Sequence, residues 1–128
     1  MRAVTGALMV LLLAVLPGIR TPTGNISCAL TPGGTLYCEI KHANYAKAAQ
    51  QRCSDLDWHG FELAPTRRGA LTCTGGILIV GRVRYRTLAY GTTWRRGAFT
   101  CTSRFSGLTC TNSAGHGVFV SRESYRLF

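Results

Sequence analysis

Five of the six cysteines in this chain close the same short phrase, a glycine followed by apolar and hydroxyl residues and then Cys. It reads GNISC at Cys28, GTLYC at Cys38, GALTC at Cys73, GAFTC at Cys101 and, shortened, GLTC at Cys110; Cys53 lacks it. Around each of these cysteines apolar and polar residues alternate, which is the period of a half-buried strand. In the closing run Phe99, Cys101, Leu108 and Cys110 take one face, and Thr100, Thr102, Thr109 and Thr111 the other.

Pairing follows from register. With Pro32-Gly33-Gly34 as the loop, Thr31 faces Thr35, Leu30 faces Leu36, Cys28 faces Cys38 and Ile26 faces Ile40, which leaves one face wholly apolar. A slip of one residue would bury Ser27, Tyr37 and Glu39 instead. Directly opposed Cα atoms lie roughly 4.5 to 5.5 Å apart, within disulfide reach. A bridge from Cys28 to Cys38 is therefore expected. A loop from Arg104 to Gly107 places Cys101 opposite Cys110 in the same way, and Cys53 with Cys73 follows by subtraction.

The fold expected is all-β, mainly antiparallel hairpins in one small disulfide-stapled domain over residues 22–128. At most one short helix follows the N-terminal segment. Lys41 to Arg52, rich in Ala, Lys, Gln and Arg, is that helix candidate, packing through Tyr45 and Ala49. SDLDWHGFEL is a segment broken at Gly60 with Trp58, Phe61 and Leu63 as core. A turn at Pro65 to Gly69 leads to a strand over Ala70 to Thr74; then come the apolar run Ile77 to Val80, the alternating Arg82 to Thr87, Thr92 to Arg96, the closing hairpin and a strand near Val118 to Ser121.

Residues 1–19 read as a signal peptide or N-terminal anchor. Arg2 supplies a positive start, and Ala7 to Leu16 is an unbroken apolar run closed by Pro17-Gly18. That run is shorter than the roughly 20 residues a spanning helix needs, so membrane attachment is open only through an uncleaved segment over residues 4–19. An even number of cysteines behind such a leader places the protein in an oxidising compartment, secreted or in the cell envelope. The net charge of +10 comes from thirteen Arg and two Lys against five acids, so partners should be anionic.

No cofactor or metal is expected. The cysteines are separated by nine, fourteen, nineteen, twenty-seven and eight residues, which fits no zinc motif, and neither a phosphate loop nor a dinucleotide fingerprint occurs. Lys41 and His42, with His59 and His116, are the residue types of a ribonuclease-like acid and base, but the sequence gives no reason to place them together. Asp55 and Asp57 are too few for a calcium cage and read as turn residues or partners of arginine. Ser121 and Ser124 lack the elbow of a serine hydrolase. The most specific feature is the set Arg82, Arg84 and Arg86, which share one strand face with Val83 and Tyr85 on the other. Same-face residues stand about 6.6 Å apart, near the spacing of charges on an anionic polymer. Arg95 and Arg96 join them only if the turn at Tyr90-Gly91 folds the next segment alongside.

From Pro22 to Phe128 the chain resembles a family of small exported actinobacterial proteins of unknown function. The shared marks are GNISC, the Cys53-Ser54-Asp55-Leu56-Asp57-Trp58 run, Tyr90-Gly91 with Trp94, GAFTC, and Gly115-His116-Gly117 through Ser121-Arg122-Glu123-Ser124-Tyr125. The resemblance implies export and the six-cysteine frame, and brings no chemistry with it.

Together these features point to a non-catalytic binding or structural module for an anionic envelope polymer, nucleic acid or protein. The alternatives are a small secreted hydrolase using histidine acid and base chemistry, or an inhibitor of a secreted enzyme. Two histidines sharing a cleft would favour the hydrolase, an exposed hairpin tip at Phe105 the inhibitor, and a continuous basic face the binding module.

Overall fold

The computed structural model describes residues 15–75 and 81–128. Its elements are β1 (Val15–Arg20), β2 (Ile26–Leu30), β3 (Leu36–Ile40), α1 (Ala46–Arg52), β4 (Asp57–Leu63), β5 (Ala70–Thr74), β6 (Arg82–Thr87), β7 (Thr93–Arg96), β8 (Phe99–Arg104), β9 (Gly107–Thr111), β10 (Gly117–Val120) and β11 (Tyr125–Leu127). The strands form a six-stranded sheet, β5-β4-β3-β2-β1-β6, and a five-stranded sheet, β11-β10-β9-β8-β7. Every pairing is antiparallel except β1 with β6. The all-β reading holds.

The first hairpin pairs Ile26 with Ile40, Cys28 with Cys38 and Leu30 with Leu36, the register its loop and apolar face require. Residues paired across strands share a face, so the same side continues through Ile19 on β1 and Phe61 on β4. Phe99 and Cys101 on β8, Leu108 and Cys110 on β9, and Val118 and Val120 on β10 meet this face in one buried core. Disulfides join Cys28 to Cys38, Cys53 to Cys73 and Cys101 to Cys110, with Cα separations of 4.0, 5.3 and 4.0 Å. The sulfurs of Cys28, Cys38 and Cys110 lie within 4.8 Å of one another, so the bridge of one sheet packs on that of the other.

An aromatic cluster closes one end of the sandwich. Tyr45, just before α1, lies 4.9 Å from Tyr125 of β11 and 6.0 Å from Trp58 of β4 between ring centroids, and Phe61 lies 5.4 Å from Tyr125. Elsewhere Asn112 acts as a clasp. Its amide donates to the carbonyls of Ala64 and Arg67 at 2.8 Å each, and its oxygen accepts from the amides of Ala114 and His116. One side chain thereby fixes the β4–β5 loop against the β9–β10 turn.

Four elements differ from the sequence reading. The helix covers only Ala46–Arg52, because the amides of Lys41, His42 and Asn44 are taken by Asn25 and Arg122. Gly60 bulges a continuous β4 rather than breaking it: at φ 123°, a Cβ there would sit 2.1 Å from the Cys38 carbonyl oxygen. The closing hairpin is tighter, with Arg104 and Gly107 paired and Phe105-Ser106 alone at the tip. The tail after Ser124 adds β11.

At the N-terminus, the leader read over residues 1–19 falls largely outside the described residues, as does the apolar run Ile77 to Val80. Its last part is described and forms β1, in which Leu16 and Ile19 are buried. Gly18 lets β6 approach, since a Cβ there would lie 2.5 Å from Val83 Cγ1.

Two outcomes follow for the frame. Proteolysis without reduction should release peptides joining Cys28 to Cys38, Cys53 to Cys73 and Cys101 to Cys110, and reduction should unfold the domain, each loop closure contributing on the order of 2 to 3 kcal/mol; a peptide joining Cys28 to Cys110 would refute the scheme. Asn112→Ala leaves two carbonyls and two amides without their partner and should lower stability by about 2 to 4 kcal/mol in urea denaturation.

Candidate anion-binding groove

The face on which the β6 arginines stand is set by β1. In the parallel register Val15, Pro17 and Ile19 pair with Arg82, Arg84 and Arg86, while Gly18 pairs with Tyr85. Ile19 is fully buried in the core, so the three guanidinium groups leave β6 on its core-facing side. Val83 and Tyr85 take the outer side, half-buried, where the Arg20 guanidinium lies 4.8 Å from the Tyr85 ring centre. The ladder is thus carried on the inner face at the open edge of the sandwich.

Across that edge stands β7. Trp94 pairs with Cys101 and Arg96 with Phe99, both core positions, so Trp94 and Arg96 also point inward, while Arg95 pairs with Thr100 on the outside. The two edge strands therefore face each other without hydrogen bonding. Between them runs a groove of about 370 Å³ lined by Arg84, Arg86, Trp94 and Arg96, with Val15, Leu16, Pro17 and Gly18 of β1. Arg82 belongs to the same strand face but does not line the groove.

Among the described residues there is no ion pair, and the side chains of Arg82, Arg84, Arg86 and Arg96 have no hydrogen-bond partner. Asp55 and Asp57, read as turn residues or partners of arginine, are exposed and form no ion pair among those residues; Asp55 lies in the turn before β4. An external anion would find four guanidinium groups on two edge strands and an indole beside three of them. Sequence alternation revealed the ladder and offered Arg95 and Arg96 as its extension; the β7 register brings Arg96 to the groove with Trp94, which the sequence reading did not include, and leaves Arg95 outside.

The other candidate groups are dispersed. His42 lines a second cavity of about 590 Å³, whereas His59 is exposed on β4 and His116 sits in the β9–β10 turn; neither lines that cavity. Ser121 and Ser124 are spent on a local turn, the Ser121 hydroxyl donating to the Ser124 carbonyl at 3.0 Å and accepting from the Ser124 amide at 3.1 Å. The converging cysteine sulfurs are all in disulfides and offer no thiolate to a metal. Among the described residues, no helix is long and apolar enough to cross a membrane.

Behind the second cavity, the Tyr45 hydroxyl donates to the Ser121 carbonyl at 2.8 Å. Burial, followed by the nearby Tyr125 and Glu123, raises its pKa well above the ordinary tyrosine value. A raised pKa in the folded state means stability that is present below the unfolded value near pH 10 and is lost as pH rises above it. Tyr45→Phe should cost about 1 kcal/mol at neutral pH through the lost hydrogen bond, yet fall less steeply between neutrality and alkaline pH than the parent. Parallel denaturation curves at pH 7 and above pH 10 decide it; equal alkaline losses in both proteins would refute the assignment.

No curated protein and no solved structure matches this chain. A family model does, and residues 18–128 place the chain in the family of unknown function DUF6636.

Proposed function

We propose that this chain is an exported, non-catalytic module that binds an anionic polymer of the cell envelope in the groove between β6 and β7. The observation that carries the reading is the convergence of Arg84, Arg86 and Arg96 beside Trp94, with no internal anion to neutralise them. Guanidinium groups engage phosphate or carboxylate bidentately, and the indole adds a stacking or cation-binding surface. Three disulfides are consistent with export. Actinobacterial origin remains part of the resemblance drawn above. In this reading the leader ends upstream of Val15, so that β1 stays with the exported domain.

The dispersal of the three histidines removes support from a histidine hydrolase. The tip residue Phe105, however, is 91 % exposed, the feature named for an inhibitor, and it belongs to the second cavity.

Salt dependence tests the groove. With a single-stranded oligonucleotide as a polyanion of known charge spacing, each phosphate neutralised contributes about 0.7 to the slope of log affinity against log salt. Replacing Arg84, Arg86 and Arg96 by Gln should reduce that slope by about 2 and weaken binding at least tenfold at low salt. Replacing Arg52, Arg67 and Arg95 removes equal charge from outside the groove and should have a much smaller effect. If both triples lose affinity equally, net charge alone is responsible and the groove is not a site.

A further inference from the structure

The cavity of about 590 Å³ lies where five segments meet beyond the end of β1: the turn from Thr21 to Asn25, the stretch at Lys41-His42, Tyr90 between β6 and β7, the β8–β9 tip and the β10–β11 turn. Its volume falls within the range of small-molecule sites. Part of its wall is rigid because its polar groups are already engaged. The Thr21 hydroxyl accepts from the Ile26 amide, and the Asn25 side chain bonds the His42 backbone through both of its ends, at 3.1 and 2.9 Å.

The charged side chains are not so engaged. Lys41, Arg104, Arg122 and Glu123 all line the cavity, and among the described residues none of their side chains is held in a hydrogen bond or ion pair. Phe105 stands at the tip with its ring 5.7 Å from that of Tyr90, which is 43 % exposed. Nothing in the turn calls for an aromatic residue. Two-residue hairpin loops favour Asn, Asp and Gly, and neither Phe105 nor Ser106 has a positive φ. The two exposed rings together give the cavity rim a contiguous apolar surface.

We infer that this cavity is a second ligand site, separate from the groove, and that it binds an acidic saccharide. Three cations to one carboxylate give the lining a net positive charge, which favours an anionic ligand. Glu123 accepts hydrogen bonds from hydroxyl groups. The negative faces of the Phe105 and Tyr90 rings attract the weakly positive C–H face of a sugar ring. A uronic acid chain supplies all three: carboxylate, hydroxyls and C–H faces. A protein partner fits less well, because the cores of protein interfaces are depleted in Lys, Glu and Ser, and these line the cavity as Lys41, Glu123, Ser106 and Ser121. A second copy of this chain would bring these cations toward another protein of charge +10.

The test is amide chemical-shift mapping with trigalacturonate on the oxidised protein. Shifts should fall on residues 41–42, 104–107 and 121–123. Phe105→Ala should bind about tenfold more weakly at an unchanged melting temperature, as befits an exposed residue. Arg104→Gln with Arg122→Gln should do the same, and the methyl-esterified, uncharged trisaccharide should bind no better than those variants. The variant lacking Arg84, Arg86 and Arg96 should retain this binding, so failure of the groove and failure of the cavity are told apart. The inference is overturned if trigalacturonate at millimolar concentration shifts nothing here, if its shifts map to Trp94 and β6 instead, or if an acidic hexapeptide occupies the same residues more tightly.

Discussion

Two disulfides packed against each other hold this sandwich together. Each spans directly opposed residues of one hairpin, and three of their four sulfurs lie within 4.8 Å across the core. A bridge between opposed strands fixes register, and register decides which side chains face inward, since a slip of one residue exchanges the faces. The cysteines therefore specify more than a closed loop. With Cys28 and Cys38 inward, Ile19, Leu36 and Phe61 must follow on their strands, and Cys101 and Cys110 likewise bring in Phe99, Leu108 and Val118.

The inward face does not stay apolar to the margin. On β6 and β7 most core-facing positions are arginine, which is costly to bury against a partner sheet without an anion, while Trp94 packs on the margin of the core. Same-face arginines on one strand, about 6.6 Å apart, repel by roughly 0.6 kcal/mol per neighbouring pair even at the dielectric constant of water. With only five acids in the chain and no ion pair among the described residues, that repulsion is uncompensated internally. An anion entering the groove would convert it into attraction, which makes charge placement the principal asset of this edge.

What the sequence disclosed depended on whether a residue's role was local. The Cys28–Cys38 hairpin was legible because loop length, alternation and cysteine position all agree within sixteen residues. The alternation of Arg82, Arg84 and Arg86 was equally plain, but its direction, toward the core side, depends on pairing with β1. That strand was hidden by its own composition. Pro17-Gly18 after an apolar run reads as the end of a leader, and a glycine needed for close strand approach looks the same in sequence as one that ends an element. The helix was overextended for a related reason: propensity is uniform over Lys41 to Arg52, yet tertiary partners capture the backbone of its first turn.

β1 carries consequences beyond its length. It lies between β2 and β6, and among the described residues β6 has no other partner in the sheet. A cut at residue 19 would remove Leu16 and Ile19 from the core, strip β6 of its ladder with β1, and take away Val15 through Gly18, which form one side of the groove. The Leu88 amide, which donates to the Arg20 carbonyl at 2.8 Å, marks where the chain leaves this sheet to begin β7, so the spacing of the two edges is also referred to β1. An apolar leader and a basic groove would ordinarily be independent features of an exported protein. Here the same short strand belongs to the apolar segment by composition and to the groove by geometry, so the position of any leader cleavage and the integrity of the groove are one constraint.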